Sequence, residues 1–97
     1  MQKREFIGRV AAKTGVTKRD SDQIMDAVFQ TLAEVLEEGD RFNVAGFGVF
    51  YTKRRAARTA RNPHTGGRVS VPALTVPVFR PARGLRDYLN DSAKEET

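Results

Sequence analysis

The sequence predicts an α+β fold: an N-terminal helical hairpin, a three-stranded antiparallel sheet with an extended β-ribbon arm, and a short C-terminal helix. Three observations predict it. Apolar residues recur at helical spacing through the first 40 positions, and the period switches to alternation at Arg41. Beyond that point clusters of turn formers separate short β-like runs. All 97 residues are read as a single domain, divided into the hairpin (1–40), the sheet with its arm at about 53–75 (41–80), the closing helix (81–91) and an acidic tail (92–97).

The first helix follows from Phe6, Ile7, Val10 and Ala11, which share one face, and Gly15 is placed to end it. Thr17 stands three residues before Asp20, a capping-box-like start in which Asp replaces the usual Glu or Gln. The second helix then runs to Glu38 with two adjoining stripes, Ile24-Val28-Leu32-Val35 and Met25-Phe29-Leu32-Leu36. Together they make an apolar face wider than one short helix covers. Gly39 stops the helix. Arg41-Phe42-Asn43-Val44 alternates as a half-buried strand does, Gly46-Phe47-Gly48 turns, and Val49 to about Ala57 forms the next strand. On that strand Phe50 and Thr52 share one face, while Val49, Tyr51 and Lys53 share the other.

Asn62-Pro63-His64-Thr65-Gly66-Gly67 is a second turn, after which Val69-Ser70-Val71 and Val76-Pro77-Val78-Phe79 return as strand. Pro77 has no amide to donate, which assigns its strand to an edge or a bulge. Pro81 suits a first helical turn, and Leu85, Tyr88 and Leu89 mark the closing helix. The stretch between Tyr51 and Val76 has few large apolar residues, so a hairpin there projects into solvent. Ten residues per strand at about 3.3 Å each reach roughly 30 Å. Such a ribbon is marginally stable alone.

Charge is distributed unevenly. Residues 1–45 hold 7 basic and 8 acidic side chains, and residues 87–97 hold 1 and 4. Residues 46–86 hold nine basic side chains (Lys53, Arg54, Arg55, Arg58, Arg61, Arg68, Arg80, Arg83, Arg86) and no acidic one. A solvated face usually mixes its signs. This stretch repels itself until a polyanion meets it, and eight of its nine cations are arginines, which grip phosphate in bidentate geometry.

Other chemistries are excluded by what is missing. The absence of cysteine removes disulfides, thiolate metal sites and cysteine nucleophiles, and the one histidine, His64, leaves no His-based metal site or triad within a chain. No carboxylate lies in residues 46–86 to pair as an acid and a base, or to hold a catalytic metal beside the basic surface. No enzyme activity, cofactor, metal or small-molecule substrate is therefore expected. No apolar run approaches the roughly 18 residues of a membrane span, and Met1 to Phe6 lacks a signal peptide's apolar core. A cytoplasmic location without membrane contact is expected.

With the arm set aside, about 75 residues must shelter Phe29, Phe42, Phe47, Phe50 and Phe79, too few for a self-sufficient core. A two-fold dimer whose interface is this aromatic core is the simplest remedy, making folding and association one event. A monomer packed against a compact hairpin is the alternative.

Gly46-Phe47-Gly48-Val49-Phe50, then Arg55 and Arg58, then Ala60-Arg61-Asn62-Pro63-His64-Thr65-Gly66 resembles the signature of the HU/IHF histone-like proteins of bacteria. The order of elements agrees over nearly the whole chain. The resemblance implies an intertwined dimer, associated with the nucleoid, whose two arms enter the minor groove of double-stranded DNA and bend it. It further implies that Pro63 is the wedge that intercalates between base pairs, with Asn62 beside it. Arg55, Arg58 and Arg61 would line the arm, and Lys53, Arg80, Arg83 and Arg86 would hold flanking phosphates. A proline suits a wedge, since its rigid ring replaces stacking and leaves no donor unsatisfied. On a straight strand the three arm arginines alternate faces, so spacing alone does not turn all three inward.

Three features depart from the family's pattern. Ala60 stands where glycine is common, Gly67 and Val69 stand where polar residues are frequent, and the tail is long and acidic. That tail either competes weakly with DNA for the basic sites or is inert. Phe79-Arg80-Pro81 leans toward integration-host-factor-like chains, which prefer a site and pair with a related subunit. Arg54-Arg55-Ala56-Ala57-Arg58-Thr59 leans toward HU-like chains, which bind and compact DNA with little regard to sequence and prefer bent or nicked duplex. No residue is placed for base readout in the major groove, which favours an HU-like homodimer. An RNA-binding module is a rival, against which Phe47, Phe50 and Tyr51 fall at core-like positions. A structural dimer gripping an acidic protein is another.

Overall fold

The computed structural model describes residues 1–95, with side-chain environments through Asp91. Its elements are α1 (Lys3–Thr14), α2 (Lys18–Glu37), β1 (Phe42–Val44), β2 (Gly48–Arg55), β3 (Arg58–Arg61), β4 (Arg68–Val71), β5 (Leu74–Pro81) and α3 (Arg83–Glu95). The fold is α+β, as the periodicity predicts. The chain divides into two compact units, Met1–Val35 and Leu36–Thr97. Among the described residues no helix is long and apolar enough to cross a membrane.

The first unit is the helical pair. α1 ends where Gly15 takes the left-handed conformation (φ 74°) and returns its amide to the Ala11 carbonyl at 2.9 Å. Thr17 Oγ1 accepts the Asp20 amide at 3.2 Å, the hydroxyl half of the expected capping-box-like start. Ile7, Ala11 and Ser21 are the buried residues here, and the Ser21 hydroxyl lacks a hydrogen-bond partner. The Lys3 ammonium bridges Asp26 and Asp22, at 2.5 and 3.2 Å. Hydrogen bonds to Asp26 and then Asp22 raise its pKa. A raised lysine pKa makes this tie complete at neutral pH, lost only as pH climbs past the lysine range. The face of α2 stays open, with Ile24, Val28 and Phe29 each more than half exposed.

The second unit is built on a sheet of order β1-β2-β5. β1 and β2 turn about Gly46 (φ 77°), with the Phe47 amide bonded to the Val44 carbonyl at 2.9 Å. β2 pairs with β5 in unbroken antiparallel register from Gly48↔Pro81 to Arg55↔Leu74. Pro77 therefore sits on an edge strand opposite Thr52, with no bulge in the ladder. Gly48 is required by proximity: a Cβ there would lie 2.6 Å from the Arg80 carbonyl oxygen and 2.5 Å from the Phe79 ring. Gly48→Ala is expected to destabilise the protein by about 1–3 kcal/mol through overpacking, read from the denaturant midpoint. An unchanged midpoint would mean that the two strands separate at no cost.

Three boundaries differ from expectation. The strand after Gly48 stops at Arg55 instead of Ala57, and the arm continues as a separate two-stranded sheet of β3 and β4. Pro72, opposite this break, cannot donate to a ladder. Pro81, expected in the first helical turn, instead ends β5, and α3 starts at Arg83. The Ala82 amide bonds back to the Phe47 carbonyl at 2.9 Å, holding the chain to the sheet for one more residue. Finally, α3 runs through Glu95, so residues 92–95 of the expected tail are helical; Glu96 and Thr97 lie outside the described residues. No glycine or proline follows Gly84 to stop it.

Candidate nucleic-acid interface

Residues directly opposite in an antiparallel sheet share a face, and neighbours along a strand alternate. One face of the three-stranded sheet therefore carries Phe42, Phe50 and Phe79. Their rings associate, Phe50 with Phe79 at 4.7 Å and Phe42 with Phe50 at 6.4 Å, while Phe47 from the turn reaches Phe79 at 5.6 Å. Phe42, Phe47 and Phe79 remain 40–44% exposed and Phe29 on α2 57% exposed. These are the residues expected to form a shared core, and each unit alone leaves them facing water.

The opposite face carries the charge. Val49↔Arg80, Tyr51↔Val78, Lys53↔Val76 and Arg55↔Leu74 are its rungs. Lys53, Arg55 and Arg80 thus converge on one surface, all exposed. Arg54 points to the phenylalanine side and donates to Thr75 Oγ1 at 3.3 Å, which separates it from the others despite its place between them. Two residues of this cationic face were not singled out from the sequence as part of an interface. Tyr51, expected at a core-like position, lies here half-buried, and the Arg41 guanidinium sits over its ring at 5.9 Å. The alternation of Arg41, just before β1, with Asn43 within it is the signal that could have placed it.

In the arm, Arg58↔Val71, Thr59↔Ser70, Ala60↔Val69 and Arg61↔Arg68 pair. Arg58 and Arg61 therefore lie on opposite faces, as their spacing of three requires on a strand. Beyond Arg61 the tip closes twice: the Asn62 amide bonds to the Gly67 carbonyl at 2.7 Å, and the Gly66 amide to the Asn62 carbonyl at 2.8 Å. Asn62 Oδ1 accepts the His64 amide at 2.8 Å, an Asx turn that holds Pro63 at the apex. Pro63 is exposed there, while Asn62 is half-buried and spends its side-chain oxygen on the turn.

At the other end of the sheet, Arg83 and Arg86 occupy the start of α3, whose first turn has no acidic residue. Free amides at a helix N-terminus favour anions, and two guanidiniums beside them strengthen that preference. Arg83 Nε also approaches Asp87 at 3.6 Å, but both side chains are exposed and the pair is worth little. Cations thus occupy the sheet, the arm and the helix start, without a carboxylate from residue 46 to residue 86.

Comparison with known proteins places this arrangement. The model of the family described as bacterial DNA-binding protein matches residues 1–90. The chain is 44% identical over 87 residues to the DNA-binding protein HU of Geobacillus stearothermophilus, covering 90% of this chain and 97% of that one. It is 42% identical over 87 residues to the SPbeta prophage-derived DNA-binding protein HU 2 of Bacillus subtilis, covering 90% and 95%. Among solved structures, an Anabaena HU–DNA cocrystal structure is similar with TM-score 0.85 and 36% identity over 92% of this chain and 97% of that one. With a family model matched over residues 1–90 and relatives at 42–44% identity, the chain belongs to the bacterial DNA-binding protein family, the HU/IHF histone-like proteins.

Proposed function

We propose that this protein is an HU-like architectural DNA-binding protein that bends and compacts duplex DNA with little regard to sequence, as a dimer with two arms. The observation that carries it is the separation of roles on the sheet: aromatic residues on one face, Lys53, Arg55 and Arg80 on the other, with the arm continuing from the same two strands. An exposed aromatic face calls for a second copy, and an unrelieved cationic face calls for phosphate. The relatives' names favour HU over integration host factor.

The division of labour follows from position. Lys53, Arg55 and Arg80 on the sheet, with Arg83 and Arg86 at the helix start, neutralise phosphates and set the duplex in register without reading its sequence. Arg58 and Arg61 line the arm, and Asn62 shapes the tip that presents Pro63. Pro63 enters between base pairs, and the unstacking, a few kcal/mol per step, is offset by backbone brought onto more of the basic surface. In a bacterial cell such a protein is nucleoid-associated. A homodimer suffices, since both the aromatic face and the cationic face belong to one chain.

Salt dependence tests this. With about six phosphates neutralised per dimer, log K is expected to fall against log salt with a slope of about −5. Replacing Arg58 and Arg61 by Ala weakens binding to every duplex and flattens the slope. A slope shallower than about −2 for the unaltered protein would mean that the arginines do not meet phosphate. Parallel titrations on intact duplex, nicked duplex and single-stranded RNA are expected to rank nicked duplex first.

A further inference from the structure

The last rung of the arm before its tip sets Arg61 directly opposite Arg68. Like charges in directly opposed positions repel, and a two-stranded ribbon has little else to hold it. No carboxylate between residues 46 and 86 relieves the pair. Both side chains are exposed, and with Thr59, Ala60 and Gly66 they line an open recess of ≈ 550 Å³. The next rung on the same face is Thr59↔Ser70, two hydroxyls. The opposite face of the ribbon is Ala60, Val69 and Val71, joined by Arg58 nearer the body. One side of the arm thus concentrates two guanidiniums at the rung adjoining the turn and two hydroxyl donors at the next rung on that face.

We propose that Arg61 and Arg68 form a two-guanidinium clamp on each arm that takes one phosphodiester group of the DNA backbone, making Arg68 a DNA-binding residue of the returning strand. The inference rests on the DNA-binding function proposed above and adds to it a site that neither residue makes alone. Each guanidinium donates in a planar fork that matches two phosphate oxygens, and an anion between them turns their mutual repulsion into shared attraction. Thr59 and Ser70 are placed to donate to the same backbone strand. The location has a purpose. The clamp lies one residue from Asn62 and two from Pro63, so it holds the backbone immediately beside the step that the proline opens. A wedge without a fixed flank would slide; a clamped phosphate makes the kink stay where the tip enters.

The test is a double-mutant cycle on duplex DNA at several salt concentrations. Arg68→Gln is expected to weaken binding about tenfold and to flatten the salt slope by about 1 to 2 over the two arms. Arg61→Gln should do nearly the same. Because both serve one phosphate, the double variant should lose far less than the product of the two single losses. Arg68→Lys keeps the charge without the fork, so it should keep the slope and lose part of the affinity. Losses that multiply would show two independent contacts and overturn the clamp, and so would an Arg68→Gln protein that binds like the unaltered one. Duplex left free by the unaltered protein would overturn DNA binding itself, and the clamp with it. Arg68 is exposed on the ribbon, so unchanged circular dichroism and melting in the Gln variant separate lost contact from lost folding.

Discussion

Pro63→Ala is expected to leave the protein bound to DNA but to abolish most of the bend. Lys53 and the arginines proposed to provide encounter and register are untouched, so affinity at low salt should stay within about 1 kcal/mol, roughly a factor of five. Bending is different. Without a wedge the duplex must curve smoothly, and a bend of 40–90° spread over 20–30 base pairs costs about 1–6 kcal/mol. As the proposed wedge, a proline held at the apex by the Asn62 Asx turn would localise that deformation at one step. Alanine at the apex is smaller, rotates more freely and restores a backbone donor. Energy transfer between dyes at the two duplex ends should fall to nearly the value of free DNA. An undiminished bend in this variant would remove the wedge from Pro63.

The second large effect concerns assembly. If the proposed dimer forms, folding and pairing are one event, and the thermal midpoint is expected to depend on protein concentration. Tenfold dilution changes the free energy by about 1.4 kcal/mol, which for a dimer of this chain lowers the midpoint by roughly 3–6 °C. Phe50→Ala should be far worse, since it removes the ring that joins Phe42 to Phe79. Large-to-small aromatic changes in cores cost about 3–5 kcal/mol, enough to unfold the dimer at micromolar concentration. The physical basis is the exposure seen here: Phe29, Phe42, Phe47 and Phe79 stay 40–57% open, and no large side chain among the described residues is fully buried. A midpoint that ignores concentration, with the size of one chain in sedimentation, would show that a single copy can cover its own core.

Local chemistry determined the order of elements. Gly15, the Thr17 cap, Gly39 and the Asn62–Gly67 turn each act within a few residues, so their signals are complete in the sequence. The same holds for the exposed apolar stripes of α2 and for the unbroken basic stretch. Only the tertiary structure decided which strand partners meet. Arg54 and Arg55 are neighbours, yet the β2–β5 register sends one to Thr75 and the other to the cationic face. Arg61 and Arg68 are seven residues apart and become opposite only through the turn between them. Pro81 has the dihedral a helix start accepts, but pairing with Gly48 and the Ala82–Phe47 hydrogen bond keep it in the sheet. The reason is one of range: caps and periodicity depend on contacts within a turn or two, whereas faces and boundaries depend on pairing energies between residues far apart along the chain.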